Sequence, residues 1–446
     1  MVEKEYHLET MDNIKSYNNY KYKTDPNKFI RNRILAFEDY VFYGIQNEGR
    51  TTAVEVNSYL DKYMNDDMMT ITKQAISSQR QFIEPLIFKD MMLDTLIRMK
   101  NDGAYPKGFK DKPVLGVDGS DLDVPPHKIT IEEFNIPQDT MMHKQPAQTL
   151  CSSISDLYNN YIWDIELADA DDDERSIFLQ QLDRLDQKID LHDTIFVFDR
   201  GYPSIEMFLE CLEKETFFIF RLKSDIYSKE RNKMLSDDEY VNLNLNSLRT
   251  KNIRNPKIKE KIKNMTHLRL RIVNISIQLN NGKIITETLI TNLPPETASK
   301  EELKELYNKR WDIEKNYDKM KNILEIENYS GYKKCIIQQD TYAQAFLLNF
   351  LHSVKHDCEK KIPEEKKTSK NGKLSYQINM NTLAGIMIDE MPKLFSDDPQ
   401  KRKNTLKKLE KLATTNLSSS KTEKKEYPRK KDARKYKYKL HKRRAK

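Results

Sequence analysis

The chain has 446 residues, of which 38% are hydrophobic and 33% are charged, and its net charge is +7 at pH 7. This length predicts two to four domains, and no apolar run approaches the ~18 residues that a membrane span needs. The charged start MVEKEYHLET predicts no secretory signal, and four widely spaced cysteines are typical of reduced thiols. These features exclude membrane-spanning and secreted classes and predict a cytoplasmic protein.

The first 106 residues have helical patterns. TAVEVNSYLDKYM has an amphipathic period, the polar break NDDMMT follows it, and a second helical stretch begins at ITKQAISSQR. Two helices joined by a short turn predict either a helix-turn-helix that reads DNA or an ordinary packed pair. Both interpretations stay open for this segment.

A mixed α/β sheet is predicted next. KPVLGVDGSD is an apolar strand that ends in Asp118 and a Gly-Ser turn, and an Asn-Asn turn divides two further strands in QTLCSSISDLYNNYIWDIELADA. The strand Thr194–Phe198 ends in Asp199, a helix with Ser204 as its N-cap follows, and TFFIFRLK is another buried strand. Helices alternating with such strands favour the mixed α/β class.

Residues 224–292 predict a β-rich insertion, with a hairpin turn at Asn281-Gly282. A helix then begins at Ser299, where Glu302 occupies the capping-box position. The next helix, TYAQAFLLNFLHSVKHD, is apolar on most faces and should be buried.

One stretch of the Ser299 helix, YNKRWDIEKNYDKMK, gathers several kinds of polar side chain. At about 100° per residue, the four residues of interest fall at roughly 0°, 300°, 340° and 320° on a helical wheel. They therefore share one narrow stripe, which favours a site for metal and phosphate. The four are Tyr307, Arg310, Glu314 and Lys321.

Three carboxylates on rigid elements are the candidate catalytic residues. Asp118 and Asp199 each follow an apolar strand, and Glu314 lies on the later helix. Such a trio can hold two divalent metals for phosphodiester chemistry, and Mg²⁺ suits all-oxygen ligands. Arg200 is interpreted as a DNA contact or as the partner of an acid. The acidic run ADADDDER, residues 168–175, is interpreted as a solvated turn leading into a helix.

VDGSD, FVFDRGYPS and the Y-x₂-R-x₃-E-x₆-K spacing resemble the DDE transposases of bacterial insertion sequences, and more narrowly the family defined by that spacing. The resemblance covers about residues 110–350. It implies a ribonuclease H-like core with a β-rich insertion between the second aspartate and the glutamate. It also implies two Mg²⁺ ions on Asp118, Asp199 and Glu314, with Mn²⁺ able to substitute. The residues implied to contact DNA phosphates are Tyr307, Arg310 and Lys321.

The basic residues are concentrated at the end of the chain. Residues 401–446 hold 20 Lys and Arg against 4 Asp and Glu, so the remaining chain is net acidic. Such a tail is typical of an electrostatic nucleic-acid contact, and a solvated terminus is the alternative. The predicted domains are a helical DNA-binding domain (1–106), a catalytic core (107–223 and 293–395), the β-rich insertion (224–292) and the basic tail (396–446).

The predicted function is therefore that of a DNA transposase. It would cut double-stranded DNA at terminal inverted repeats in a Mg²⁺-dependent reaction and transfer the 3′ ends into target DNA. The resemblance implies a homodimer on paired ends, and the expected location is the nucleoid of a bacterial cytoplasm. Two alternatives stay open: a catalytically silent DNA-binding protein derived from a transposase, and a metal-dependent nuclease that does not join DNA.

Overall fold

The computed structural model describes residues 3–14, 19–31, 34–64, 70–137, 147–278, 284–369, 372–396 and 398–421. Within these ranges no helix is both long and apolar enough to cross a membrane. The predicted hairpin turn at Asn281-Gly282 lies outside the described residues, as do the turn residues 65–69 of the helix-turn-helix candidate and everything after residue 421.

An eight-stranded mixed sheet, in the order β3-β2-β1-β4-β5-β8-β7-β6, forms the centre of the protein. β1, β2 and β3 are antiparallel, whereas β4 and β5 run parallel to β1. The five strands β3-β2-β1-β4-β5 have the order of a ribonuclease H-like core, so the predicted fold class is confirmed. The strands are β1 Val114–Asp123, β2 Gln148–Asp156, β3 Ile162–Leu167, β4 Ile195–Phe198, β5 Phe217–Arg221, β6 Asp238–Asn244, β7 His267–Gln278 and β8 Ile284–Thr291, with β9 Leu374–Ile378 and β10 Leu417–Lys421 in a second, two-stranded sheet.

Along the chain, helices come before the first strand of the sheet, between its strands and after its last strand. A 3₁₀ turn at Asn19–Tyr22 and a π turn at Leu60–Met64 accompany them. The described α-helices are α1 Glu3–Ile14, α2 Phe37–Gln46, α3 Thr52–Tyr59, α4 Lys73–Arg80, α5 Leu86–Asn101, α6 Lys128–Glu133, α7 Glu174–Asp186, α8 Ile205–Glu213, α9 Ser228–Arg231, α10 Ser247–Thr250, α11 Pro256–Ile262, α12 Lys300–Asn308, α13 Trp311–Asn322, α14 Lys334–Glu359, α15 Glu364–Lys367, α16 Met380–Leu394 and α17 Pro399–Thr415.

The central strands are buried on both faces, as their continuous apolar runs require. Leu115 and Val117 face one hydrophobic cluster, which includes residues of α7 and α8. Val114 and Val197 face the other cluster, which includes residues of α13 and α14. The period of two along each strand therefore sends alternate side chains into two separate cores.

The long helix α14 organises the helical layer, and the sequence correctly predicted that it is buried. Asp357 near its end accepts hydrogen bonds from the amides of Glu3 (3.3 Å) and Lys4 (3.0 Å) in the first turn of α1. At its other end Asp340 pairs with the buried Arg80 of α4 at 2.8 Å. Two helices from the N-terminal part of the chain therefore dock on one helix.

Several details differ from the sequence predictions. β1 does not turn after Asp118 but continues to Asp123, because that stretch still pairs with β2. The second N-terminal helix is interrupted at residues 81–85, before α5, where Pro85 stands. The chain is still folded after residue 396, because α17 packs on α16 and β10 pairs with β9.

Gly116 of β1 sets how closely α13 approaches the sheet. A Cβ atom at this position would lie 2.3 Å from Cδ1 of Ile313 and 2.6 Å from Cδ2 of Leu157, both in the core. We expect Gly116→Ala to destabilise the protein by about 1–3 kcal/mol, since overpacking forces neighbours to shift. Urea unfolding measures this loss. Ile313→Val removes the closest atom, so the double variant Gly116→Ala/Ile313→Val should lose less stability than the sum of the two single losses. A loss equal to that sum would contradict this interpretation.

Candidate functional site

The two candidate aspartates lie side by side because of strand register. β1 and β4 are parallel, and their last paired residues are Val117 and Phe198. Asp118 and Asp199 are the next residue on each strand. Asp199 follows the end of β4, whereas Asp118 lies inside β1 and stays paired with Ser153 of β2. The sheet therefore places the two aspartates next to each other on neighbouring strands.

The Tyr307–Lys321 motif lies on two helices, whereas the sequence predicted one. The Ser299 and Glu302 capping box starts α12, as predicted, but α12 ends at Asn308 and α13 begins at Trp311. The amide of Arg310 donates to the Tyr307 carbonyl at 3.1 Å, a tight turn between the helices. No Gly or Pro occurs here, so the sequence carries no signal for the break.

The motif side chains nevertheless converge on the ends of β1 and β4. The Tyr307 hydroxyl donates to Oδ1 of Asp199 at 3.2 Å. Lys321 donates from Nζ to Oγ of Ser120 at 2.9 Å and to the carbonyl of Asp121 at 2.7 Å. The structure therefore attaches both ends of the motif to the strands that carry the aspartates.

Arg310 lies at the centre of the acidic side chains and is only 4% exposed. Its Nη1 is 3.4 Å from Oδ2 of Asp118, and its Nη2 is 3.6 Å from Oε1 of Glu314. One guanidinium thus bridges two of the three predicted catalytic carboxylates. Trp311 covers it from outside, with Cζ of Arg310 4.9 Å from the ring centroid. Arg200 is exposed directly after Asp199, and no contact within the described ranges joins it to these acids.

A fourth carboxylate, which the sequence analysis missed, reaches the same place. Glu174 is the first residue of α7, inside the acidic run 168–175 that was interpreted as a solvated turn. The helix start was correctly predicted, and Asp173 is its N-cap. Glu174 itself, however, is half-buried rather than solvated. Its position in the first turn of a helix was the only sequence signal.

Burial and crowding of negative charge alter the protonation of the site. Burial raises the pKa of Asp118 to about 6; Arg310 opposes this, while Asp199, Glu174 and Glu314 add to it. Burial, and then the charge of Asp199, raises the pKa of Tyr307 to about 12. Tyr307 is therefore a neutral hydrogen-bond donor near pH 7, and Asp118 titrates in a range accessible to experiment.

The raised pKa of Asp118 predicts a pH-dependent stability of the metal-free protein. The pKa of Asp118 is about 6 in the folded protein, above its usual value of 3.8, so protonation of Asp118 favours the folded state. This contribution to the free energy of unfolding is complete below pH ~4 and is lost as the pH rises through 6. We expect Asp118→Asn to be more stable than the parent at pH 8, by up to about 3 kcal/mol. Urea unfolding in EDTA at pH 4.5, 6 and 8 measures this. The exposed Asp121→Asn is the control, and a parallel pH dependence of the parent and Asp118→Asn would contradict the assignment.

The ligand chemistry of the site fits a hard divalent cation, because the gathered donors are carboxylate oxygens. In the part of the chain that the structure describes, no three Asp, Glu, His or Cys side chains are arranged to hold a metal ion as they stand. The Arg310 guanidinium, a cation itself, contacts the carboxylates of Asp118 and Glu314.

Comparison with known proteins gives one match at the level of a family. A family model described as "Transposase DDE domain" matches residues 109–350, more than half of the chain. Among solved structures, the piggyBac transposase synaptic complex with hairpin DNA is similar with a TM-score of 0.43 and 10% sequence identity, covering 91% of this chain and 84% of that chain. A search of curated protein sequences found no significant match.

Proposed function

Since this chain belongs to the family of transposases with a DDE domain, we propose that it cuts DNA at terminal inverted repeats and transfers the freed 3′ ends into target DNA. The observation that supports this most is the convergence of Asp118, Asp199 and Glu314 from two neighbouring strands and a helix. Carboxylates drawn from rigid elements in this way suit metal-dependent phosphoryl transfer.

We propose that these three carboxylates bind two Mg²⁺ ions, for which Mn²⁺ can substitute. When bound, such ions supply Lewis-acid stabilisation of phosphoryl oxygens and a more acidic attacking hydroxyl. In the first step the oxygen of water bonds to phosphorus and the bond to the 3′ oxygen breaks, which leaves a 3′-hydroxyl. In the second step that hydroxyl attacks a target phosphodiester, and a target 3′ oxygen leaves.

The basic residues of the motif are proposed to hold the DNA backbone, and Tyr307 to lie near it while it orients a catalytic aspartate. Arg310 keeps a positive charge between the acids, where negative charge develops on phosphoryl oxygens. Tyr307 orients Asp199 through its hydroxyl. Lys321 and the exposed Arg200 flank the strand ends and offer donors to phosphates.

Further DNA contacts are proposed outside the core. α4 exposes Lys73, Gln74, Ser77 and Ser78, a set of hydrogen-bond donors that suits a DNA-reading helix. The basic segment after residue 400 supplies electrostatic, sequence-independent affinity. We further propose that two copies act together on paired element ends and that the bacterial nucleoid is the place of action.

The proposal is tested with purified protein, Mg²⁺ and a supercoiled plasmid that carries this gene with its native flanking DNA. We expect an excised fragment with 3′-hydroxyl ends and, with a second plasmid present, insertion products. EDTA should abolish both. Cutting without insertion would indicate a nuclease, and binding of the flanks without cutting would indicate a catalytically silent DNA-binding protein.

A further inference from the structure

A strongly basic stretch of the β-rich insertion packs against the body of the protein. Residues 249–263 hold seven Lys and Arg and only one acid. Ile253 and Ile258 are buried, 3% and 1% exposed, in the hydrophobic cluster that also contains residues of α8. The two isoleucines fix the segment and leave most of its bases in solvent. The exposed bases are Lys251, Arg254, Lys257, Lys259, Lys261 and Lys263.

Two acids of α8 hold the backbone and the cap of this segment. Glu206 accepts hydrogen bonds from the amides of Arg254 and Asn255, the second at 2.9 Å. The Asn255 side chain donates from Nδ2 to Glu210 at 2.6 Å and caps α11 by accepting from the amide of Lys257 at 2.8 Å. The segment is therefore ordered before any ligand arrives, so binding costs it little conformational entropy.

Two of the exposed lysines line a cleft that reaches the catalytic strand ends. The cleft is open, has a volume of about 1000 Å³, and lies between the starts of α7 and α8 and residues 249–259. Lys251 and Lys259 are part of its wall, as is Gly201, two residues after Asp199. Neither lysine has an acid within 4 Å among the residues that the structure describes.

The acids of the cleft wall do not neutralise these lysines. Asp173 pairs with Arg254 at 2.9 Å, Glu206 accepts the two backbone amides, and Glu174 is half-buried in the first turn of α7. The positive charge of Lys251 and Lys259 therefore remains available to a polyanion in the cleft.

This basic surface and α4 lie over opposite faces of the central sheet. Ile258 packs in the cluster that Leu115 and Val117 face, whereas Ile76 of α4 packs in the other cluster. The ends of β1 and β4 lie between the two surfaces. Strand transfer joins two duplexes at one site, the element end and the target. With α4 proposed to read the element end, the surface on the other face is left for the second duplex.

We infer that residues 249–263 bind the backbone of the target duplex, with Lys251 and Lys259 in contact with its phosphates. This inference rests on the proposed function, because it names the DNA that lies on one side of the proposed catalytic site. Lysines act as point charges on phosphates and do not read base edges there. Such a surface binds any sequence, which suits DNA that lies outside the element.

The first test measures binding of a second duplex to the full chain in EDTA. The protein is saturated with a duplex of its native flanking DNA, and a labelled duplex of random sequence is then titrated at several salt concentrations. We expect Lys251→Gln/Lys259→Gln to weaken binding of the random duplex on the order of tenfold. The slope of log affinity against log salt should fall by about 2, since each lost phosphate contact removes about 1.

Two further variants control for charge and for position. Lys251→Arg/Lys259→Arg keeps both charges and should bind the random duplex as the parent does. Lys229→Gln/Lys233→Gln removes two exposed lysines of the same insertion that do not line the cleft. It lowers the net charge equally and should also bind as the parent does.

The second test measures insertion of pre-cut element ends into a target plasmid with Mg²⁺. In Lys251→Gln/Lys259→Gln, the target concentration for half-maximal insertion should rise on the order of tenfold, while the maximal rate and the cleavage of element ends stay unchanged. A lower maximal rate at saturating target would place these lysines in the chemical step and would contradict a role in target binding.

Unchanged affinity of Lys251→Gln/Lys259→Gln for the random duplex would overturn the inference. An equal loss of affinity for the flanking duplex would overturn it as well, because the surface would then hold the element end. If the random duplex is lost as expected but the parent inserts no DNA, the proposed function fails while the duplex-binding surface stands.

Discussion

Glu314→Gln is expected to reduce DNA cleavage on the order of 1,000-fold while leaving DNA binding intact. The substitution keeps the size of the side chain but removes a charged oxygen from the proposed cation site, on which stabilisation of the phosphoryl oxygens depends. Gel assays of plasmid cleavage and of end binding, with both proteins side by side, measure the two properties separately.

The control for this variant is Glu305→Gln, on the exposed surface of α12 in the same helix pair. It should cleave as the parent does. Cleavage by Glu314→Gln at a rate near that of the parent would remove Glu314 from the catalytic residues. Loss of both cleavage and DNA binding would instead indicate that the residue acts through folding.

Arg271→Met is expected to cause the largest loss of stability of any single substitution considered. The Arg271 side chain is fully buried on β7 and pairs through two nitrogens with Asp238 of β6, at 2.7 and 2.6 Å. Its Nη1 also donates to the carbonyls of Leu293 (3.2 Å) and Ala298 (2.7 Å). Removing it leaves one acid and two carbonyls without this partner, which costs about 3–5 kcal/mol.

The Arg271 side chain joins β6 and β7 to residues 293–298, just before α12, so we expect lower cleavage activity near the melting temperature as well. Arg269→Met is the matched control, two residues earlier on the same strand. Arg269 is exposed, with its Cζ 4.8 Å from the Tyr240 ring centroid, so its loss should cost less than about 1 kcal/mol. Equal melting temperatures for the two variants would contradict the assigned role.

The parallel strands β4 and β5 were predictable because they are short, apolar and bounded by turns. β4, the Ser204 N-cap and β5 appear where the pattern places them. The capping box at Ser299 and Glu302 was equally clear, because it is a local signal within four residues. Where hydrogen-bond partners are close in sequence, or a strand is buried on both faces, the sequence carries the information.

The missed features depend on partners that are distant in sequence. β1 continues past Asp118 only because β2 pairs with residues up to Asp123. The helix break before Trp311 carries no Gly or Pro. Glu174 looked like one acid among several, and only packing reveals that Gly119 makes room for it. The convergence of Asp118, Asp199 and Glu314 was predictable from chain order, whereas the bridging position of Arg310 between two of them was not.

The capping of α1 by Asp357 has a consequence for how the chain folds during synthesis. The amides of Glu3 and Lys4 find their acceptor more than 350 residues later in the chain. At about 5–20 residues per second, a ribosome needs roughly 20–70 s to reach that aspartate. Until then the first turn of α1 lacks this cap, so the helical layer is among the last parts of the nascent protein to be completed.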